Sequence, residues 1–327
     1  MDFDGIIGQE DIVKGLKDSI KSGRVGHAYI FSGQKGLGKK TIAETFAGAL
    51  LCEKQYGDRI CGECLPCRML KEGSNPDFFV AGTADETINV DEIRNLQSDT
   101  IIRPLYSARK VYLIPDADNM TIQAQNSLLK IFEEPPAYTV IILTTSNYDA
   151  LIETIRSRAV RYSFKKYSSG EIEKVMNKKF MPDPGKIDLI ISYSDGILGT
   201  ALKLAGSDEF VEIRNKTIEM LFKINNSKLS DVFGIYTYFE ENKSNIGVIL
   251  DTMLLVYRDL LVLRKACKEN ILINSDKKDI ILSNVEKFSA AKLIRNIEQI
   301  ENTRRNIDIN ANYQLSIEVM LMKLREE

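Results

Sequence analysis

One stretch, Gly33-Gln34-Lys35-Gly36-Leu37-Gly38-Lys39-Lys40, restricts the possible folds of this chain more than any other. It follows the apolar run His27-Ala28-Tyr29-Ile30-Phe31 and leads into Lys39 to Leu51, where Ile42, Phe46, Ala49 and Leu50 share one helical face. Strand, Gly-rich turn and helix in that order fit Gly-x4-Gly-Lys, the phosphate-binding loop pattern. Its glycines let backbone N–H groups curl around an anion, and the helix N-terminus adds partial positive charge. Phe78 to Val80, Val111 to Ile114, Val140 to Leu143 and Val160 to Phe164 read as further strands. Between them, Val90 to about Ile101 reads as a helix with Ile93, Leu96 and Ile101 in the core. Gln123 to Phe132 reads as another, stopped by Pro135-Pro136. Strands alternating with helices predict a parallel sheet in an α/β domain.

The loop departs from a working nucleotide site in two places. Lys39 is placed to reach the β- and γ-phosphates, but Lys40 stands where a Ser or Thr would hold Mg²⁺. Thr41 is one residue late, so on a helix it points about 100° away. At the end of Val111-Tyr112-Leu113-Ile114-Pro115, Asp116 occupies the position of a metal-holding carboxylate. Ala117 follows it where a water-activating glutamate is required, and a substitute role for Asp118 would need an unusual turn. Gly33, Gly36, Gly38, Lys39, Lys40 and Asp116 therefore form the candidate nucleotide site, with its hydrolytic groups missing.

Beyond Lys165 the periodicity becomes helical. Ser168 to about Ala205 reads as a small helical unit, with Ser168 or Ser169 as N-cap and breaks at Gly185, Gly196 and Gly199. Val248 to Cys267, Ser289 to Thr303 and Asn310 to Leu324 read as long amphipathic helices, with Cys267 on an apolar face. The expected architecture is α/β followed by all-α: a mixed domain over residues 1–166, a small helical one over 167–207, and a helical one over 208–327.

Cys52-x8-Cys61-x2-Cys64-x2-Cys67 interrupts the first domain. Four thiolates at such spacing converge on a tetrahedral ion, and Gly57, Gly62 and Pro66 supply tight backbone, so the segment predicts a structural Zn²⁺. A reducing cytosol favours metal over disulfides. No apolar run approaches the roughly 18 residues that span a membrane, and Met1-Asp2-Phe3-Asp4-Gly5 lacks a signal-peptide core, so the expected compartment is the cytoplasm. The chain carries 44 basic and 46 acidic groups, and neither half is basic, which argues against a zinc-bearing DNA-binding module working through bulk charge. His27, the sole histidine, sits at a strand start, where a satisfied structural hydrogen bond is expected.

Together, Ile7-Gly8-Gln9-Glu10, Gly26 to Gly33, the phosphate loop and the four cysteines resemble bacterial clamp-loader subunits of the AAA+ class. The likeness continues through Ile114 to Asp118, Asn126-Ser127-Leu128-Leu129-Lys130-Ile131-Phe132-Glu133-Glu134-Pro135-Pro136, Thr154 to Arg158, and Asn310 to Glu318. It covers most of the chain, with residues 205–290 contributing little. The resemblance implies a RecA-like sheet domain with a zinc insert, a helical lid and a C-terminal helical collar for oligomerisation.

Within the family, Lys40, Ala117 and Gly199, the last at the position of a sensor arginine, resemble a non-hydrolysing stator rather than the ATP-hydrolysing gamma/tau motor, which is the alternative. The resemblance also implies that Arg158 is an arginine finger, acting in trans on ATP held by a neighbouring subunit, with Ala159 in place of the usual Cys. The partners it implies are gamma/tau and delta subunits, with the sliding clamp and primer–template DNA reached through the assembled complex, and no membrane.

Overall fold

The computed structural model describes residues 2–54, 60–82, 86–180, 184–224, 229–266 and 272–325. Gly57 and Cys267 lie outside the described residues. By internal contacts the chain forms two compact units, Met1–Lys179 with Asp195–Ala201, and Phe180–Ser194 with Leu202–Glu327. The segment 167–207 is thus shared between them.

The first unit is built on five parallel strands: β1 (Ala28–Ser32), β2 (Phe78–Val80), β3 (Lys110–Ile114), β4 (Thr139–Thr145) and β5 (Val160–Ser163). They lie in the order β2-β3-β4-β1-β5. Tyr29 pairs with Ile142 on one side and Val160 on the other. Every residue of β1, β3 and β4 is buried, whereas the edge strands β2 and β5 are largely open. That contrast accounts for the nearly unbroken apolar runs of the central strands, since a parallel sheet is covered on both faces.

Helices α1 (Glu10–Lys21), α2 (Lys39–Leu51), α3 (Leu65–Lys71), α4 (Val90–Thr100), α5 (Ile122–Glu133), α6 (Glu153–Arg156) and α7 (Ser169–Lys179) complete this unit. Ile93, Leu96 and Leu128 pack with Ile30, Tyr112, Ile114, Ile141 and Leu143 in its core. Asn89 and Glu92 close a reciprocal capping box at the start of α4. Ser168 caps α7 as expected: its backbone N–H and hydroxyl donate to the Glu171 carboxylate.

Ile101 is not in the core. It is 78% exposed: Thr100 takes the buried place one turn after Leu96, and Ile101, the C-cap of α4, lies about 100° further round. The expected breaks also shift. Gly196 lies at one with φ of 76°, but Gly185 and Gly199 sit within the first turns of α8 (Pro184–Ser194) and α9 (Leu198–Ala205).

In the second unit, α10 (Phe210–Ile224), α11 (Leu229–Glu241), α12 (Ile246–Ala266), α13 (Lys278–Asn284), α14 (Ala290–Asp308) and α15 (Tyr313–Arg325) follow α8. Ile218, Leu221, Leu250, Met253, Leu260, Leu293, Ile300, Ile317 and Leu321 share one apolar core. Arg214 is fully buried and binds Asn274 Oδ1 and the Asp276 carboxylate, while Asp259 accepts from the backbone of Ile273 and Asn274. These bonds satisfy charges that would be costly to bury unpaired. No described helix is long and apolar enough to cross a membrane.

Candidate functional site

The phosphate loop leaves the end of β1, where α/β sheets hold their ligands. Gly36 and Gly38 have φ of 85° and 81°, and Gly38 is the N-cap of α2. Lys39 is buried, and its Nζ donates to the carbonyls of Gly33 and Gln34, the latter at 2.9 Å. Burial lowers its pKa, against the opposing pull of the Asp116 and Asp118 carboxylates. Lys40 points away: its side chain is 60% exposed and its amine pairs with Glu44 at 4.0 Å, one turn along α2.

Asp116 takes a left-handed conformation, φ 45° and ψ 51°, and its N–H donates to Thr144 Oγ1. This is the unusual turn that Asp118 requires, but it delivers Asp118 to a different partner. Asp118 accepts from Ser146 Oγ at 2.6 Å and from the Ser146 N–H at 3.3 Å. Its pKa is lowered: partial burial pushes it up, and these hydrogen bonds, led by the Ser146 hydroxyl, outweigh that. Ala117 is fully buried in the core.

Two groups distant in sequence close onto the loop. The Gly199 N–H donates to the Gly36 carbonyl at 2.8 Å, and a Cβ on Gly199 would stand 2.8 Å from Gly36 Cα. A side chain at position 199 is thereby excluded, whatever its charge. Tyr167 is buried, with its hydroxyl donating to the Leu37 carbonyl at 3.3 Å. Gln9 locks the preceding segment, donating to Lys165 O at 2.6 Å and accepting from Lys165 N at 3.1 Å. Neither Tyr167 nor Gln9 belongs to the phosphate-loop pattern. Sequence reasoning missed Tyr167, and only the aromatic after Lys165-Lys166 pointed to it.

The four cysteines converge. The Sγ atoms of Cys52, Cys61, Cys64 and Cys67 all lie within 4.8 Å of one another, and Cys61 and Cys67 are 3.9 Å apart. Four sulfurs about 2.3 Å from a tetrahedral ion stand about 3.8 Å apart, so the cluster fits a metal such as zinc. The Cys61 N–H points at Cys52 Sγ and the Cys64 N–H at Cys61 Sγ, at 3.4 and 3.3 Å. The Cys64 N–H is the main reason that the Cys61 thiol is pulled down to about 6, in the range of a ready thiolate ligand. Burial pushes the Cys52 and Cys67 thiols up.

Arg158 follows the short helix α6. Its Nη1 donates to the Thr154 carbonyl at 3.2 Å, and its Nη2 lies 3.6 Å from Glu133 Oε1. The guanidinium is on the surface, while Ala159 packs against the core in place of the expected Cys. His27 is not the satisfied histidine expected: its buried Nε2 has no hydrogen-bond partner among the described residues, and its ring stands edge-on to Phe132 at 6.3 Å.

A surface outside the motifs also emerges. Buried Asp77 accepts the N–H groups of Leu105, Tyr106 and Ser107 at 2.7–2.8 Å. This anchors a turn on which Ile101, Ile102, Leu105 and Tyr106 are all exposed. Of these, Ile101 is the one expected in the core, and it is turned outward because Thr100 holds the buried place on α4.

Residues 8–168 match the family model described as DNA polymerase III, delta subunit, and residues 208–326 match that for the C-terminal part of the same subunit. The chain is 29% identical over 321 residues to the DNA polymerase III subunit delta' of Bacillus subtilis, covering 97% of this chain and 96% of that one. With the tau subunit of the same organism it shares 26% identity over 344 residues, covering 98% of this chain but spanning only 61% of tau. The delta' subunit of Pseudomonas aeruginosa is 39% identical over 137 residues, 41% of this chain and 42% of that one. Matched in both its sheet and its helical parts, and along nearly the whole of a delta' relative, this chain belongs to the delta/delta' family of DNA polymerase III clamp-loader subunits.

Proposed function

We propose that this chain is a stator of the clamp loader. It would hydrolyse no ATP itself and would present Arg158 to the γ-phosphate of ATP held by a neighbouring gamma/tau-type motor. In this way it would help that complex place the sliding clamp on primer–template DNA in the cytoplasm. One observation carries the reading: the phosphate loop is engaged by its own chain, through Lys39, Gly199 and Tyr167, while the Arg158 guanidinium is presented at the surface. Arginine suits the role because its planar fork stays charged and binds phosphate bidentately.

The test is ATP turnover by the purified chain, with and without primed DNA. The expected rate equals that of the Lys39→Ala variant under both conditions. Turnover that Lys39→Ala abolishes would reassign the chain as a motor of the gamma/tau type.

The division into a sheet domain (1–166), a lid (167–207) and a collar (208–327) belongs to the same proposal, as does zinc in the cysteine cluster. Leu315, Val319 and Met322 support the collar: spaced along one face of α15, all three are exposed. Joining other subunits through this stripe predicts that Leu315→Ser with Val319→Ser weakens assembly about tenfold or more, since fully covering an exposed apolar side chain contributes about 1.5–3 kcal/mol and these two are 59% and 36% open. Gel filtration of the reconstituted complex reads this directly, and an undiminished complex peak would remove α15 from the interface.

A further inference from the structure

Glu133-Glu134-Pro135-Pro136 is the motif that the phosphate loop, the cysteines and the finger leave unused. Its geometry follows from its prolines. A residue before proline is pushed out of the helical region, and Glu134 has φ −129° and ψ 65°. Helix α5 therefore ends on Glu133, which places a carboxylate at the negative end of a twelve-residue helix. A carboxylate is disfavoured there and a cation is favoured. The cation facing it is Arg158, with Nη2 3.6 Å from Glu133 Oε1. On its other edge the guanidinium donates to the Thr154 carbonyl at 3.2 Å, and Ser157 Oγ lies 3.5 Å away. Both side chains are substantially open, 40% for Arg158 and 56% for Glu133, so the contact can be exchanged without unpacking the core.

We infer that Glu133 is a positioning residue for the arginine finger, a resting anchor that holds Arg158 until a more highly charged phosphate competes for it. The inference rests on the reading of Arg158 as a finger. A γ-phosphate offers the guanidinium more negative charge and bidentate geometry. An exposed carboxylate pair biases its partner by only about fivefold at most. Glu133 therefore delays engagement without preventing it, and its influence is largest before DNA brings the subunits into their active arrangement.

The test uses the fully reconstituted complex, with ATP turnover measured in the presence and absence of primed DNA. Glu133→Gln keeps the size and shape of the side chain and removes a charge that the helix end disfavours, so the variant keeps its fold. It is expected to raise DNA-independent turnover, lowering the ratio of stimulated to unstimulated rate by up to about fivefold. Glu133→Asp, which restores the charge, should recover most of that ratio. Combining Glu133→Gln with Arg158→Ala should give the Arg158→Ala rate. A role confined to helix capping would leave the ratio where it was.

If Arg158→Ala alone leaves turnover unaltered, the finger reading fails and the anchor with it. If Arg158→Ala abolishes stimulated turnover but Glu133→Gln leaves or increases the ratio, the anchor alone is overturned.

Discussion

Arg158→Ala in the assembled complex is expected to lower ATP turnover at the neighbouring site proposed for it by about 10³-fold or more, the scale on which trans-acting arginines accelerate phosphoryl transfer. The size follows from where the charge acts. Negative charge builds on the transferring phosphoryl group in a dry interface, where a positioned cation is worth far more than in water. The variant chain should fold and assemble normally, because Arg158 is exposed and its ion pair with Glu133 is of a kind worth about 0–1 kcal/mol. Arg158→Lys should recover only part of the rate, since an ammonium supplies a point charge without the fork. Steady-state turnover with primed DNA measures the effect, and gel filtration establishes assembly. Wild-type turnover from a complex proven to contain the alanine variant would eliminate the finger.

Zinc removal is expected to act on stability rather than turnover. Native chain should carry one zinc per molecule, and Cys61→Ser or a strong chelator should destabilise the first unit by several kcal/mol. Structural zinc sites in small peptides contribute on the order of 10 kcal/mol, and a whole domain is stable by only about 5–15 kcal/mol. Three of the four thiols are buried and packed with Ile60 and Cys61 in a small cluster of their own, so without the ion the insert loses its centre. The second unit has a separate core and should melt at its original temperature. Metal analysis with two-transition thermal unfolding tests both points. A native preparation without zinc, or a single melting transition that shifts as a whole, would contradict them.

The elements of the sheet were legible because burial writes itself into the chain locally. Val111 to Ile114 and Val140 to Leu143 are continuous apolar runs since both faces of their strands are covered, and the helix after the loop begins and ends as its periodicity indicates. The cysteine spacing likewise places four ligands within reach of one another through local geometry. Lys40 and Ala117 were readable as absences of particular chemistry, which needs no coordinates.

Ile101 shows where periodicity stops being sufficient. Its apolar character suggests the core, but polar Thr100 holds the buried place after Leu96, and one residue on, about 100° round the helix, the side chain is at the surface.

Residue identity and spacing alone determined the five strands and the helices α2, α4 and α5 between them, the defective phosphate loop and the cysteine set, because each depends on chemistry within one turn or one strand. Tertiary structure alone decided that Gly199 lies on Gly36, that Asp118 serves Ser146, that Tyr167 reaches Leu37 and that Glu133 meets Arg158. Each of these pairs joins segments remote in sequence. Hydrophobic patterning says which face of an element is buried; which distant backbone or side chain meets that element is set by the crossovers of the parallel sheet and by how the chain folds back after its last strand.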